Sequence, residues 1–208
     1  MSEHIDLLYD HYKDTYEQIR SFIAKRDEDF IVALLFLAGS IFTTFNPAYV
    51  QNLSNTLGKV KFGIDLNLAF YMLNSVLLFI SLWFLQKYYQ SVTHIENLYT
   101  YIHKVEEQLC ELIKDFQITR EGKSYLEYFP HLKAAIQIIY TWVFPFLVVA
   151  ICIIKGYWEL ANRQNTIPRL ALVFDISCIL AIISITLLHI SWFHFKDFRK
   201  HKKQADSK

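Results

Sequence analysis

The chain has little cysteine, little net charge and no sequence signature of catalysis. Its three cysteines, Cys110, Cys152 and Cys178, form no close pair. That excludes a disulfide framework and the spacing of a zinc site. The formal net charge is only +1 over 208 residues, so global charge gives no reason to expect a nucleic-acid partner. Gly122-Lys123-Ser124 resembles the end of a P-loop, but the earlier glycine that loop requires would fall at position 117, which is Gln117. No strand precedes it, which excludes nucleotide binding there. The spacing of an intramembrane zinc protease and a Gly-flanked serine are both missing. No catalytic residue, metal ligand or cofactor is expected, and the reading is of a non-enzymatic protein.

Charge is also missing over long stretches. Phe30 to Gly58 holds no Asp, Glu, Lys or Arg, and its apolar part ends near Phe45. Leu66 to Gln86 and Ala134 to Ile154 are uncharged, and Leu170 to Phe195 carries one charge, Asp175. A membrane-spanning helix needs about 20 mostly apolar residues, so four stretches qualify. Four such helices in one short chain leave too little polar surface to cover them in water. The fold class expected is all-α: a four-transmembrane-helix bundle with long cytoplasmic helical extensions. The segment before residue 30 is acidic and polar and lacks the basic start and short apolar run of a secretory signal, so no cleavage is expected.

Lys and Arg set the orientation. Four lie before residue 30, six between Lys87 and Lys133, and six from Lys196 onward. The other two loops hold five: Lys59, Lys61, Lys155, Arg163 and Arg169. Sixteen against five puts both termini and the central loop in the cytoplasm. Aromatic belts fit: Trp83, Tyr88, Tyr89 and Trp192 inside, Tyr157 and Trp158 outside. The implied organisation is a cytoplasmic amphipathic helix (1–29), spans 1 and 2 (30–86), a cytoplasmic coiled-coil-like helix and loop (87–133), spans 3 and 4 (134–195) and a basic tail (196–208).

The cytoplasmic segments are patterned. Ile95, Leu98, Ile102, Val105, Leu109, Leu112 and Phe116 step by three and four residues in turn, as the a and d positions of a coiled coil do. No Gly or Pro separates this run from the second span, so one helix is expected from about Leu66 to Phe116, roughly 75 Å long. Ile5, Leu8, Tyr12, Ile19 and Phe22, with Thr15 filling one slot, form a second stripe that enters the first span without a breaker. Neither stripe is stable alone in water. They are expected to pack on each other or on copies from neighbouring chains. Ile95, Leu98, Ile102, Val105, Leu109 and Leu112 are therefore the candidate face for a homo-oligomer or a cytoplasmic protein partner. A flat helix on the membrane surface is disfavoured, because the N-terminal polar face is acidic.

The halves resemble each other. Asn52, Asn55, Thr56, Asp65, Leu77, Leu78, Ile80 and Ser81 recur 110 positions later as Asn162, Asn165, Thr166, Asp175, Leu187, Leu188, Ile190 and Ser191. The cytoplasmic stripes align at an offset of 90, the difference being an insertion near Gln117 to Leu132. A parallel tandem repeat about an axis along the membrane normal follows. Chance similarity between apolar helices is the competing explanation.

Asp175 is read as the one charged residue well inside a span, which makes it a functional candidate by default. The bland alternative is an acid held at a helix N-terminus by the dipole, paired with Arg169 or Lys59. Asp175, Cys178, Ile182, Thr186 and His189 share one helical face and, with Asn74, are candidates to line a pore or polar path. Interhelical hydrogen bonding explains the same pattern at about 0.6 kcal/mol per bond. His189 is a titrating candidate or a structural hydrogen bonder. Lys196, Arg199, Lys200, Lys202 and Lys203 are candidate contacts to anionic lipid headgroups, and simple positive-inside anchoring needs no ligand. Only Phe198 interleaves with these charges, a poor platform for stacking single strands. Asn52-Leu53-Ser54 is a glycosylation triplet that matters only in a eukaryotic secretory membrane.

In size, four spans, inside termini and cytoplasmic helices, the whole chain resembles the small accessory membrane proteins of bacterial antiviral systems. These include the four-span accessory protein of type VI-B CRISPR loci and the membrane subunit of the Kiwa system. The richness in Ile, Lys, Tyr and Phe resembles an AT-rich bacterial genome. The resemblance is architectural and carries over no residue by position. The R-x4–6-H ribonuclease signature of a sister CRISPR accessory protein is missing here, so RNase activity is not expected. The resemblance implies a bacterial inner-membrane protein of antiviral defence: an oligomeric effector or pore answering a cytoplasmic signal. Two other classes stay open. One is a membrane-anchored scaffold for a soluble partner such as an RNA-guided nuclease; the other is a small transporter, against which stands the lack of matched Pro/Gly breaks, Pro145 alone interrupting a span.

Overall fold

The computed structural model describes residues 2–62, 69–113, 138–161 and 169–205. They are helical almost throughout. Helix α1 spans Ser2–Phe45, α2 Pro47–Phe62, α3 Ala69–Leu112, α4 Phe144–Ala161 and α5 Arg169–Ala205. A wide π turn, Ile139–Val143, precedes α4. Among the described residues three helices are long and apolar enough to cross a membrane, within Ile5–Phe45, Thr141–Ala161 and Arg169–Trp192.

Two breaks have plain chemical causes. Proline has no N–H and fixes φ, so it ends one helix and suits the first position of the next. Asn46 sits at that joint: its N–H donates to Phe42 O at 3.0 Å, and its carbonyl accepts from Val50 N at 3.1 Å. Pro145 falls inside the span Thr141–Ala161, as expected, and sits in the first turn of α4 directly after the π turn, where the hydrogen-bond pattern changes. Helix α4 runs on to Ala161, seven residues beyond the predicted end of the third span at Ile154.

The chain divides into two compact units. The first comprises Met1–Asp29 and Lys87–Ile139. Here the two amphipathic stripes meet each other. Tyr12, Ile19, Ile102, Val105 and Leu109 form the core, with Leu8, Tyr16, Ile23, Leu98 and Tyr99 packed around it. Tyr12 Oη donates to Glu106 Oε1 at 3.2 Å, and the Phe22 ring stacks on His94 at 5.5 Å. Tyr12 thus faces position 106 and Phe22 faces position 94, so the helices run antiparallel. Each fully buried Ile, Leu or Val contributes about 1.5–3 kcal/mol of burial, which neither stripe obtains alone.

The second unit comprises Phe30–Gln86 and Tyr140–Lys208. Phe36 stacks on Phe84 between α1 and α3, and Phe79 lies against Phe174 between α3 and α5. Phe30 meets Phe144 at 4.5 Å and Phe45 meets Trp158 at 4.9 Å, so α1 and α4 run parallel. Helices α4 and α5 pack along their length. Large apolar side chains cover the outside, among them Ile31, Leu35, Met72, Val173 and Leu188.

Candidate buried ion cluster

Helices α1, α3, α4 and α5 bring polar groups to one place. The centre is Lys155 on α4, only 1% exposed. Its Nζ lies 2.7 Å from Glu159 Oε1, one helical turn along. It also donates to Thr44 Oγ1 on α1 at 2.6 Å and to Asn74 Oδ1 on α3 at 3.1 Å, with Ser40 O at 3.4 Å. An ammonium has three donors, and the three shorter contacts use them. Thr44 stands one residue from the C-terminus of α1, where the helix dipole favours a cation.

Asn74 is the bridge. Its Nδ2 donates to Glu159 Oε1 at 3.2 Å and to Asp175 Oδ2 at 3.0 Å. Its Oδ1 accepts from Lys155 and from Thr43 Oγ1, the latter at 2.9 Å. The opposite amide orientation would turn a carbonyl toward two carboxylates and an NH2 toward an ammonium, so electrostatics fixes the one present. The Thr43 hydroxyl is shared, because it also lies 2.8 Å from Ser40 O. Ser75 on α3 hydrogen-bonds Asp175 as well.

Two oxygens in this cluster have no hydrogen-bond partner: Glu159 Oε2 and Asp175 Oδ1. Both residues are 3% exposed. A buried carboxylate oxygen without a donor carries a desolvation cost of about 1–3 kcal/mol or more. The cluster therefore has acceptor capacity left over.

Several expectations change here. Asp175 is not the sole charge inside the bundle. Lys155, assigned above to an outer loop, and Glu159, read as lying beyond the third span, are both buried among the helices. Arg169 is exposed, and the partners of Asp175 are Asn74 and Ser75. As the seventh residue of α5, Asp175 lies beyond the first turn, where the helix dipole has largely faded. Asp65 and Gln117 to Leu132 lie outside the described residues, as does the side chain of Lys59.

Of the predicted polar face, Asn74 and Asp175 are in direct contact. Cys178, Thr186 and His189 are buried further along the same side of α5, and Thr186 Oγ1 donates to Ile182 O at 2.7 Å. Ile182, buried between Cys178 and Thr186 in that series, lines a void of about 10 Å³ with Leu37, Ser81, Leu85 and Val148. A space of that size holds one water at most, and its apolar walls offer few partners.

The predicted partner face is covered within the chain. Ile95, Ile102, Val105 and Leu109 are buried, Leu98 is half-buried against the core, and Leu112 is exposed. The basic residues Lys196, Arg199, Lys200, Lys202 and Lys203 fall on the last turns of α5; their side chains lie outside the described residues. Asn52 is exposed on α2, and the side chain of Ser54 lies outside the described residues.

Sequence reasoning missed Lys155 and Glu159 because a charge ends an apolar run and is taken as the membrane boundary. The usable signal was their i,i+4 spacing, which places opposite charges on one helical face where they neutralise each other. Comparison with protein families, curated proteins and solved structures finds no match to this chain.

Proposed function

We propose that the chain is a four-span membrane protein whose bundle responds to a cytoplasmic signal by opening a path for ions along the α5 face. The fourth span is the apolar first part of α3, which shows Met72, Val76, Phe79 and Trp83 on its outer side. With Lys155 inside the bundle, sixteen Lys and Arg on the proposed cytoplasmic side stand against four on the other: Lys59, Lys61, Arg163 and Arg169. That asymmetry supports inside termini. The parallel course of α1 and α4 suits a tandem repeat.

One observation carries the reading: a Lys, a Glu, an Asp and an Asn from three helices are buried together in a bundle whose outer surface is apolar. An ionised side chain at a span centre costs about 2.5–3.5 kcal/mol, and intramembrane ionisable groups mark ion pathways and proton relays. The helices that form the first unit, α1 and α3, are also those that carry Thr44 and Asn74 to the cluster. A signal that shifts either helix therefore acts on the Lys155 hydrogen bonds. In this conformation Ile182 and Val148 close the face, which fits a resting state. Purified protein in liposomes should show ion flux on activation, and that flux should disappear in Asp175→Asn. Impermeable liposomes in every condition, including with candidate cytoplasmic partners, would rule the path out.

The second reading is a membrane-anchored scaffold that holds a soluble protein in a bacterial antiviral system. The separately cored first unit favours it, with Leu7, Tyr9 and Tyr101 exposed on its surface. Replacing Tyr9 and Tyr101 with Asp should abolish partner capture and leave insertion intact.

A further inference from the structure

We propose that Asp175 and Glu159 together hold one exchangeable proton, and that this proton is the ligand of the buried cluster. The inference deepens the ion-path reading and rests on it only for its consequence, not for its observations.

The argument is a count of charge and of hydrogen-bond capacity. Among the described groups of the cluster, two are acidic and one is basic. With all three ionised, the cluster carries one net negative charge inside an apolar bundle. A single proton neutralises it. The ion pair Lys155–Glu159 is fixed at 2.7 Å, which leaves Asp175 without a cation of its own. Asn74 supplies a neutral amide instead, and an amide donor compensates a carboxylate only in part.

The geometry ties the two acids into one site. Glu159 Oε1 and Asp175 Oδ2 accept from the same Asn74 nitrogen, at 3.2 and 3.0 Å. Their separation is thus no greater than the sum of those two distances. Two carboxylates this close repel each other when both are ionised, so one proton relieves the pair. Each also has a second oxygen, Oε2 and Oδ1, with no donor to satisfy it. A proton on either of these oxygens removes the charge that has no counterion and leaves the Asn74 bridge in place.

The surroundings of Asp175 are accounted for element by element. From α4 it faces Lys155 and Glu159. From α3 it faces Asn74 and Ser75, neither of which titrates in the accessible range. From α1 the cluster receives Ser40, Thr43 and Thr44, again without a titrating group. On α5 itself the nearest candidate is Cys178, one turn away.

Proton exchange would change the charge that Asn74 bridges. With the proton present, Lys155 faces one carboxylate. Once it leaves, two carboxylates face one ammonium, and Asn74 contacts all three.

The test is infrared difference spectroscopy on the full protein in lipid, reading the C=O stretch of a protonated carboxyl group as bulk pH is stepped. One titrating band per chain is expected, lost in Asp175→Asn and shifted in frequency in Asn74→Ala. Glu159→Gln should lose the band as well, because Lys155 is then left to neutralise Asp175 and the cluster needs no proton. Absence of any titrating band in the wild-type protein overturns the proposal. So does a band that persists unchanged in Asp175→Asn, or one abolished by sodium at constant pH. Should Asp175→Asn fail to fold, Asp175→Glu supplies the second variant, expected to retain the band at an altered frequency. Flux is not part of this readout, so an impermeable protein with the band intact refutes the conduction path and leaves the proton site standing.

Discussion

The two units of this chain share two long helices, α1 and α3, yet they are assembled with opposite logic. In the first unit Tyr12, Ile19, Ile102, Val105 and Leu109 point inward, and charged residues such as Asp14, Glu17, Lys104 and Glu107 are exposed. In the second, Lys155, Glu159 and Asp175 are inside, and Leu35, Leu170, Val173 and Leu188 are outside. A helix buries the face its solvent rejects. Water rejects the apolar stripe, and hydrocarbon, the surroundings proposed for the second unit, rejects the charges. The same principle thus produces a hydrophobic core at one end of α3 and contributes Asn74 to a polar cluster at the other.

The comparison breaks most visibly at Lys155. Lys155→Met leaves Glu159 and Asp175 buried together with no cation between them. Removing one partner of a buried pair costs about 3–5 kcal/mol. Loss of that size should appear as a lower midpoint in denaturant titration of the purified protein. The Lys155→Met/Glu159→Met pair should recover much of it, because apolar replacement of both charges suits the surroundings. If Lys155→Met unfolds no more readily than wild type, the cluster is not buried as described.

The counterpart in the first unit is Leu109→Ala. Leu109 is fully buried in the apolar core, and such truncations cost about 2–5 kcal/mol. The effect should be local. Hydrogen exchange should rise along 8–23 and 95–109, while the bundle segments keep their protection. Equal loosening of both units would show that they do not fold as separate cores.

A matched pair of substitutions tests the solvent directly. Leu35 in the second unit is 65% exposed and Leu7 in the first is 58% exposed. By surface area alone the two are equivalent. Lysine at position 35 should cost about 2.5–3.5 kcal/mol if hydrocarbon surrounds it, and lysine at position 7 should change stability by less than about 0.5 kcal/mol in water. Equal tolerance at both sites would place the bundle surface in water.

Much of this contrast was legible in the sequence. The uncharged runs marked the apolar helices, and the stepping of Ile95, Leu98, Ile102 and Val105 marked the stripe that meets Tyr12. Continuity was legible too, because no breaker lies within α3: Ala69–Leu112 is one helix inside the expected Leu66 to Phe116. The cluster was legible only by half. Asp175 and Asn74 stood out because each is polar within an apolar run. Lys155 and Glu159 did not, because hydropathy averages treat a charge at the edge of a run as outside it. Their burial depends on Thr44 and Asn74 arriving from other helices, and single-sequence periodicity does not register groups brought together by tertiary packing. Helix α2 was missed for a related reason: its polar composition reads as a loop, although Asn46-Pro47 is a good helix start.

The smallest predicted effect concerns a buried polar bond of the first unit, Tyr12 to Glu106. Tyr12→Phe deletes the donor to Glu106 Oε1 and keeps the ring in the core. Glu106 is itself buried, and its other oxygen, Oε2, is 3.3 Å from His103 Nδ1. The loss should be about 1–2 kcal/mol, the net value of a hydrogen bond to a charged acceptor. Hydrogen exchange along 8–23 and 95–109 measures that loss. In the double variant Tyr12→Phe/His103→Gln, Glu106 loses both contacts, and the loss should exceed that of the single variant. Were the two variants equal, His103 would be a bystander, and Tyr12 alone would hold the Glu106 carboxylate. The contrast with the bundle would then sharpen: one unit held chiefly by apolar contacts, the other organised around charge.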